Sequence, residues 1–509
     1  MRACPLAKPQ GPAYRCKSAP GLEGLRAFRF LRQIKTGKLL PYELSNSFAN
    51  YLNHLTMAKK HLPEVIDAHP TKELFINMLV RDLSLVDAIG DLVDNSVDAA
   101  LSLHPKRNFT GQYVHLTVKS GTFIIKDNCG GIPIDTAANY AFRFGRHPNA
   151  KQLKGSVGQF GIGMKRALFK LGKVFSITSS TTTETFKVNI DVEKWKKLTK
   201  PKGAGHANGS EDQWEFQFEE AKYLAIPPTE SGTTITVTKL QDDVADEFKR
   251  PEAFVSKLIS TLQYEHMFAI TAGLDLRVNS VRLKAPKLEF LTGSNFSIGH
   301  WTKKIGNVKV DVHTGISDAN TELGGWYIFC NRRLVLGPEQ TEITGWTTTQ
   351  KGGTVSYHSQ YNRFRGYVFF EAENASELPW NTTKTGMDLD SPLYKAVKHQ
   401  MMNMMKPVIS FCNALKKERE QGNEYRPLND LTNNLKPVNM KDYPVAFRAA
   451  AFNYPVVSKA RTQEAGEVTI QFAVDRQKVE KAKKYFNVMT NREVGSKAFD
   501  YFFASEIDS

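Results

Sequence analysis

Hydrophobic residues at helical spacing dominate one early segment of the chain. They are Leu83, Val86, Ile89, Val93 and Val97. This spacing predicts an amphipathic helix over residues 82–101, with its apolar stripe packed on a sheet. On that helix Asp91 and Asn95 lie one turn apart on the same face. Such a pair is usually a solvated surface, so the helix alone does not define a site.

Alternating and β-branched positions predict the strands that follow. Residues 114–126 alternate in this way, so we expect Asp127 at a strand end beside a glycine turn. Residues 233–238 predict a further strand, and residues 199–209 a loop. The bland interpretation of the segment at Asp127 is an ordinary turn in which the carboxylate bonds its own backbone.

A glycine-rich segment precedes a helix-like run at residues 164–171. Its glycines are Gly155, Gly158, Gly161 and Gly163. No Gly-Lys-Ser/Thr follows them, so this is not a Walker A loop. Backbone N–H groups and a helix N-terminus there could still meet phosphates, although a plain surface loop is the alternative. The segment 136–163 is long and basic, and these properties suit a mobile lid over phosphates.

The second half of the chain predicts a further folded unit and an appendage. A helix near 250–265 precedes alternating segments at 274–283, 308–312 and 326–330. Residues 393–420 predict a basic helix whose methionines pack in a core or on a partner. Residues 421–466 predict a linker. A strand at 468–474 and helices at 475–486 and 491–504 then predict a small β-α-α module, comparable with ribbon-helix-helix modules.

Composition narrows the class of protein. The chain has 509 residues, 41% of them apolar, and a formal net charge of +16. Its length predicts roughly two to four domains. Since no apolar run reaches the roughly 18 residues of a membrane span, we expect a cytoplasmic protein. The positive charge favours a polyanion such as DNA as partner, although solvated lysines alone could explain it.

Cysteine usage and the N-terminal region add two expectations. The five cysteines form no CxxC pair, which fits a reducing compartment and argues against structural zinc. Residues 1–56 are strongly basic, with Glu23 the single acidic residue among the first 40. A transit peptide, a disordered basic arm and an over-extended reading frame all fit this composition.

Three stretches, taken in order, resemble the N, G1 and G2 boxes of the GHKL superfamily. They are residues 91–99, 127–132 and 155–165. This superfamily includes gyrase-type topoisomerases, the ninety-kilodalton heat-shock chaperone, histidine kinases and MutL-type repair ATPases. A fourth match, Ser-Gly-Thr-Thr-Ile at 231–235, falls where the family places a threonine near the base. Four boxes in this order argue against coincidence.

Each box has a physical reason under this resemblance. The amide oxygen of Asn95 can complete the octahedral shell of a Mg²⁺ held by ATP phosphates. The Asp91 carboxylate can orient and deprotonate the attacking water, although the family usually has glutamate there. Asp127 can accept the adenine amino proton while the glycines admit the base. Cys129 replaces the first glycine of the G1 box, as a small filler rather than a reactive thiol.

The G2 box is similar to the lid of the heat-shock chaperone and, with Lys165 and the closing Leu-Gly at 171–172, closer still to the MORC ATPases. Residues 330–335, Cys-Asn-Arg-Arg-Leu-Val, are similar to the Asn-x-Arg turn of the transducer domain in MORC and MutL-type ATPases. Residues 381–388 resemble the loop that returns a lysine to the γ-phosphate, and Lys384 is that lysine here. An ammonium group suits the sensing of a terminal phosphate.

The resemblance therefore implies an α+β fold. A GHKL (Bergerat) ATPase α/β sandwich over residues 57–245 would be followed by an S5-like α/β transducer domain over 246–415, a linker over 416–466 and the β-α-α module over 467–509. The implied function is a slow, Mg²⁺-dependent ATPase that closes as a homodimer on or near DNA. The implied catalytic residues are Asp91 and Lys384, and Asn95 is the implied metal ligand. The implied nucleotide-binding residues are Asn95, Asp98, Asp127, Gly131, Ile132, Gly158, Gln159, Phe160, Gly161, Ile162, Gly163, Lys165 and Thr233.

Three other assignments compete with this one. An ATP-dependent chaperone acting on protein clients would share the lid, but the sequence has no long acidic linker. A histidine kinase would need a phosphoacceptor helix before the N box, a context that His61 and His69 lack, and would normally have no carboxylate at position 91. A type II topoisomerase subunit would need a cleavage domain.

Overall fold

The computed structural model describes residues 70–145, 153–158, 161–201, 210–347, 355–420, 426–440, 450–455, 470 and 473–507. The basic region at 1–56 lies outside these residues, as does most of the strand predicted at 468–474. The chain divides into two compact units. The smaller unit includes residues up to 82 together with 190–217, and the larger contains the rest. Within the described part of the chain, no helix is both long enough and apolar enough to cross a membrane.

The α-helices and strands of the described residues follow in chain order. The helices are α1 (Lys72–Val80), α2 (Leu85–Leu103), α3 (Ile134–Thr136), α4 (Gly163–Leu171), α5 (Val192–Lys196), α6 (Asp242–Lys249), α7 (Pro251–Glu265), α8 (Met267–Thr271), α9 (Pro392–Glu420), α10 (Pro427–Asn434), α11 (Arg476–Phe486) and α12 (Asn491–Glu506). The strands are β1 (Tyr113–Lys119), β2 (Thr122–Asp127), β3 (Gly172–Ser180), β4 (Glu184–Asp191), β5 (Thr199–Pro201), β6 (Ser210–Asp212), β7 (Phe218–Tyr223), β8 (Gly232–Leu240), β9 (Asp275–Val278), β10 (Val281–Arg282), β11 (Glu289–Thr292), β12 (Gly299–Ile305), β13 (Val308–Ile316), β14 (Gly325–Cys330), β15 (Arg333–Glu339), β16 (Phe364–Glu371) and β17 (Lys436–Asn439).

A buried lysine, Lys72 at the start of α1, stabilises the smaller unit by contacting the C-terminal end of the short helix α5. Lys72 Nζ donates to the carbonyls of Trp195 and Leu198, at 2.7 Å each. The ammonium also lies 4.7 Å from the centre of the Trp195 ring. A cation at a helix C-terminus satisfies carbonyls that have no partner within the helix. The predicted loop at 199–209 begins as β5, which pairs with β6.

An eight-stranded mixed sheet forms the base of the larger unit. Its strand order is β10-β9-β1-β2-β8-β3-β4-β7. The run predicted as one strand at 114–126 is a hairpin of β1 and β2, because Ser120 and Gly121 turn between them. β9 pairs parallel with β1, so the sheet continues past residue 245, where the sequence placed the end of the domain. This is the mixed α+β sandwich that the motifs implied.

Helix α2 confirms the predicted helix with bounds a few residues later. Ser84 caps it, with Oγ accepting from the Asp87 N–H at 3.1 Å. Neighbouring elements bury α2 on most of its circumference, and Asp91 and Asp94 are each 1% exposed. The solvated-face alternative, made for Asp91 and Asn95, is therefore wrong for Asp91, whereas Asn95 is exposed. Buried carboxylates require cationic or hydrogen-bonding partners, so neighbouring elements have to supply partners for Asp91 and Asp94.

A second, five-stranded sheet has the order β12-β13-β16-β14-β15. Alternation along β14 gives the sheet two apolar faces, because successive side chains of a strand point to opposite sides. Trp326 and Ile328 belong to the core that includes the buried methionines of α9, Met401 and Met405. Tyr327 and Phe329 belong to the core that includes Met267 of α8. The methionines are therefore core residues, one of the two roles predicted for them.

The C-terminal segments differ in how they pack. Helix α10 and strand β17 lie in the predicted linker, yet β17 pairs with β11 and Leu428 is buried. The helices predicted at 475–486 and 491–504 are confirmed as α11 and α12. Within these two helices only Val494 is buried. The apolar residues Tyr485, Phe499, Tyr501, Phe502 and Phe503 are exposed.

Candidate functional site

A cavity of about 330 Å³ lies between α2, the end of β2, the start of α4 and the loop at 382–384. This volume is within the usual range for small-molecule sites. The predicted residues that line it are Asp91, Asn95, Asp127, Gly131, Ile132, Gly158, Gly161, Ile162, Gly163, Lys165, Thr233 and Lys384. Gln159 and Phe160 lie outside the described residues. The fold thus brings residues from all four boxes and from the distant Lys384 to one cavity.

Asp127 lies at the inner wall of the cavity with its carboxylate held on both oxygens. Oδ1 accepts from the N–H groups of Cys129, at 2.9 Å, and Thr233, at 3.2 Å. Oδ2 accepts from the Ser96 hydroxyl at 2.8 Å. Burial raises the pKa of Asp127, and these three donors oppose that shift. The carboxylate is therefore pre-oriented, with capacity left on Oδ2 for a further donor.

Two glycines near Asp127 allow neighbouring backbone segments to approach each other closely. Gly131 has φ +71°, and a Cβ there would lie 2.1 Å from the Ser180 carbonyl oxygen. A Cβ on Gly232 would lie 2.0 Å from the Asp127 carbonyl oxygen. Neither position accepts a side chain in this geometry. Cys129, in place of the first family glycine, is buried, and burial raises the pKa of its thiol, as expected for a packing residue.

A chain of hydroxyl groups extends this wall. Ser179 Oγ lies 2.8 Å from Thr233 Oγ1 and accepts from the Ile132 N–H at 2.8 Å. The β3–β8 pairing places Ser179 opposite Thr233, which explains why two residues far apart in sequence share one hydrogen bond. Sequence reasoning identified Thr233 and Ile132 but not Ser179, since nothing local marks a serine at the end of a strand.

Asn95 is the exposed polar residue of α2 at the cavity. Its neighbours Asp94 and Ser96 are buried, but Asn95 is exposed and lines the cavity. Its amide makes no hydrogen bond to another described residue. An exposed amide oxygen at the cavity wall is a suitable ligand for a hard cation such as Mg²⁺.

Lys165 is a buried cation at the same cavity. It is 4% exposed, and Nζ donates to the carbonyls of Ala141, at 2.9 Å, and Gly161. Its described partners are carbonyls rather than carboxylates, and burial lowers its pKa to about 7. An ammonium group that is desolvated without a counter-ion favours an anionic ligand.

Asp91 is paired with two cations. Arg166 Nε donates to Asp91 Oδ2 at 2.6 Å, and Nη2 lies 2.6 Å from the same oxygen. Lys384 Nζ donates to the other oxygen, Oδ1, at 3.2 Å. Arg166 belongs to α4 and Lys384 to the loop before α9, so the carboxylate joins three parts of the larger unit.

Asp94, one turn away on α2, forms a second buried cluster of charges. Arg333 Nε donates to both of its oxygens, at 2.9 and 3.0 Å, and Lys384 Nζ donates to Oδ2 at 2.8 Å. Burial opposes ionisation of Asp94, but Arg333 and Lys384 outweigh it and hold the Asp94 pKa well below its usual range. The carboxylates of Asp94 and Asp91 together outweigh the effect of burial on Lys384 and raise its pKa.

Glu265 and His266 complete this cluster. Arg333 Nη2 lies 3.3 Å from Glu265 Oε1. Burial raises the Glu265 pKa to about 7 and lowers the His266 pKa to about 4. His266 is therefore neutral at physiological pH. No local pattern in the sequence marks Asp94, Arg166, Glu265 or His266 as site residues, and Arg333 was predicted only as part of a family turn. Asp94, which directly precedes Asn95, was the one local signal in the sequence that could have pointed to this cluster.

Asp98 has a different place from the one predicted. It does not line the cavity; its Oδ2 accepts from the Gly158 N–H at 2.7 Å and its Oδ1 from the Val157 N–H at 2.9 Å. Burial raises the Asp98 pKa to about 6, against these two amides. Asp98 therefore holds the glycine-rich segment from behind. Asn331 holds the same segment from the second sheet, with Nδ2 donating to the Ser156 carbonyl at 2.8 Å.

The cavity fits a magnesium nucleotide. It combines an oriented carboxylate at Asp127, an exposed amide at Asn95 and a buried ammonium group at Lys165. The backbone at Gly161 and the start of α4 also line it, and backbone N–H groups at a helix N-terminus suit phosphate. A purine amino group needs a hydrogen-bond acceptor, Mg²⁺ needs oxygen ligands, and phosphates need cations and N–H groups.

The larger unit is an α/β sandwich whose cavity has the groups that a nucleotide needs. Residues 83–206 match the family model described as histidine kinase-, DNA gyrase B-, and HSP90-like ATPase. This part of the chain is therefore a GHKL-type ATPase domain, a class that binds ATP. A comparison with curated proteins found no match.

Proposed function

We propose that the protein is a Mg²⁺-dependent, slowly hydrolysing ATPase that acts as a nucleotide-gated dimerisation switch on or near DNA, in the manner of MORC and MutL-type ATPases. The observation that carries this proposal is the convergence of Asp91, Asn95, Asp127, Lys165 and Lys384 on one cavity. Three of these side chains lie on the GHKL boxes of α2 and β2, and Lys384 lies far along the chain. A cavity built in this way can respond to the terminal phosphate.

The binding roles follow from the chemistry of each side chain. Asp127 would accept from the adenine amino group, because its remaining acceptor capacity lies on Oδ2. Asn95 would hold Mg²⁺, and Lys165 would pair with phosphate oxygens. Magnesium would supply charge neutralisation of the phosphates when it is bound.

Asp91 is the proposed general base. Its Oδ2 is occupied by Arg166 and its Oδ1 contacts Lys384, so little of the carboxylate is free to accept a proton. Aspartate is also one methylene shorter than the glutamate usual in the family. Both features support slow turnover relative to binding.

Coupling between the ATPase sheet and the second sheet supports a switch. Asn331 contacts the glycine-rich segment, while Arg333 and Lys384 contact α2. Asn331 lies in the turn before β15, Arg333 is the first residue of β15, and Lys384 lies in the loop before α9. A change in the position of Lys384 would therefore change the contacts of the N box on α2, and a transducer requires such a connection.

Charge and exposed apolar surface support DNA and a second copy as partners. The net charge of +16 favours a polyanion. Helix α11 has no buried residue, and its basic residues are Arg476, Lys478, Lys481, Lys483 and Lys484. The exposed aromatic residues of α12 suit association with another copy of the module.

One experiment tests the proposal as a whole. ATP hydrolysis is measured with and without duplex DNA, and the size of the full-length protein is measured before and after adding a non-hydrolysable ATP analogue with Mg²⁺. We expect slow turnover, a shift to dimer with the analogue and salt-sensitive DNA binding. A protein that ignores DNA at low salt but suppresses aggregation of an unfolded client with ATP would instead be a chaperone.

A further inference from the structure

The buried charges around α2 form two ion pairs that share a single lysine. Asp91 has Arg166 as its own partner, and Asp94 has Arg333. Lys384 contacts both carboxylates, at 3.2 and 2.8 Å. All five residues are 5% exposed or less. Within the described residues this gives Lys384 no carboxylate for which it is the sole cation.

We infer that Arg166 and Arg333 are positioning residues that make Lys384 transferable between the two carboxylates and the terminal phosphate of a nucleotide. This inference rests on the proposed function, because it needs ATP in the cavity. An unpaired carboxylate at this depth is strongly unfavourable. Lys384 can leave Asp91 and Asp94 only because each keeps an arginine. The lysine is also the right choice, since its compact ammonium group on a flexible stem moves more easily than a bidentate guanidinium.

Geometry distinguishes the two arginines from the lysine. Arg333 donates from Nε to both oxygens of Asp94 and from Nη1 to the carbonyls of Leu334 and Lys384. It is therefore held from several directions at once. Its bond to the Lys384 carbonyl, at 2.8 Å, also holds the backbone of the lysine in place while the side chain exchanges partners.

The inference predicts the effect of removing one arginine. With Arg333→Gln, Lys384 becomes the sole cation on Asp94 and is retained there. The variant should bind ADP nearly as the wild type does, but its preference for ATP over ADP should fall ~10-fold, within the usual range of a coupling between sites. Arg166→Gln should act in the same direction through Asp91. Arg332→Gln is the matched control, because Arg332 is half-exposed and pairs with Glu371 instead.

A second variant separates positioning from folding. Asp94→Asn/Arg333→Gln removes the carboxylate together with its arginine, so Asp94 is not left as an unpaired charge and Lys384 is no longer held at position 94. Glu265 loses its contact with Arg333 equally in the single and the double variant, so the comparison between the two cancels that loss. This double variant should regain the wild-type preference for ATP. Loss of the preference in the double variant, or its retention in both single variants, would overturn the inference.

The measurement is calorimetric titration of full-length protein with Mg²⁺-ADP and with a Mg²⁺-bound non-hydrolysable ATP analogue. Circular dichroism checks that each variant is folded. Failure of the wild type to bind either nucleotide overturns the proposed function and this inference with it. Normal wild-type binding with an unchanged preference in Arg333→Gln and Arg166→Gln overturns this inference alone.

Discussion

The hydroxyl of Ser96 donates to the Asp127 carboxylate at 2.8 Å, which joins the first two sequence boxes by a buried hydrogen bond. Ser96 lies on α2 directly after Asn95, and Asp127 ends β2. The bond therefore sets the distance between the proposed metal ligand and the proposed adenine ligand. A nucleotide that spans the two would meet groups whose separation is set before it binds, which reduces the ordering cost of binding.

Asp127→Asn should weaken nucleotide binding much more than it weakens the fold. The amide still accepts from Cys129 and Thr233 through one oxygen, but the charge that would meet the adenine amino group is lost. Losing a hydrogen bond to a charged group should cost roughly 1.5–3 kcal/mol of binding free energy. Calorimetric titration with ATP checks this, with Asp87→Asn at the start of α2 as a control outside the cavity. Unchanged affinity in Asp127→Asn would remove this residue from the site.

Asn95→Ala should abolish the contribution of Mg²⁺ to nucleotide affinity. Asn95 is exposed at the cavity and its side-chain amide makes no hydrogen bond to another described residue, so loss of the amide should leave the free energy of unfolding within about 0.5 kcal/mol of wild type. Titrations of both proteins with ATP, in Mg²⁺ and in a chelator, give the comparison. If the variant still binds ATP more tightly with Mg²⁺ than without it, another residue holds the metal.

Asp91→Asn should remove most of the turnover and little of the binding. A general base contributes ~10²–10⁴-fold to kcat, whereas ground-state affinity should stay within a few-fold. The asparagine still accepts from Arg166, so we expect a folded protein. Steady-state hydrolysis and ATP titration on the same preparation check the two halves. Equal turnover in variant and wild type would exclude Asp91 as the base.

Nucleotide affinity should decrease as pH rises above 7. Burial lowers the Lys165 pKa to about 7 in the nucleotide-free protein, and a phosphate partner would raise it again. Binding then takes up a proton above pH 7, so affinity falls with pH, by at most ~10-fold per unit. Lys165→Met should bind more weakly and lose this part of the slope. Titrations in buffers from about pH 7 to pH 8.5 check it, and the slope that remains in Lys165→Met belongs to the nucleotide and to other groups such as Glu265. A wild-type slope no steeper than that of the variant would contradict this role.

Truncation after residue 455 should reduce DNA affinity and leave the ATP site intact. This end point keeps α10, whose Leu428 belongs to the core that includes residues of the second sheet, and β17, which pairs with β11; it removes α11 and α12. If α11 neutralises phosphates, the slope of log affinity against log salt should become shallower by about 0.9 for each lost phosphate contact. Fluorescence anisotropy with duplex DNA over a salt series measures this, and ATP titration is the control. A truncated protein with the wild-type slope would exclude the module from DNA binding.

Local pattern was enough to predict the elements that carry the boxes. The apolar spacing around Asp91, the alternation before Asp127 and the glycines before residue 164 each predict an element that the structure contains. These signals are local because helix and strand periodicity and glycine turns depend on neighbours a few positions away. The same local pattern did not show that α2 is buried on most of its circumference, nor that β9 and β10 complete the sheet.

The sequence by itself determined which residues could bind a nucleotide, whereas the tertiary structure decided which charges surround them. Arg333 and Asp94 are 239 residues apart, and Lys384 and Asp91 are 293 residues apart. No periodicity connects positions at such separations; only the packing of the second sheet against α2 brings them together. Burial then makes those contacts strong, since a carboxylate excluded from water depends on the cations that the fold places beside it.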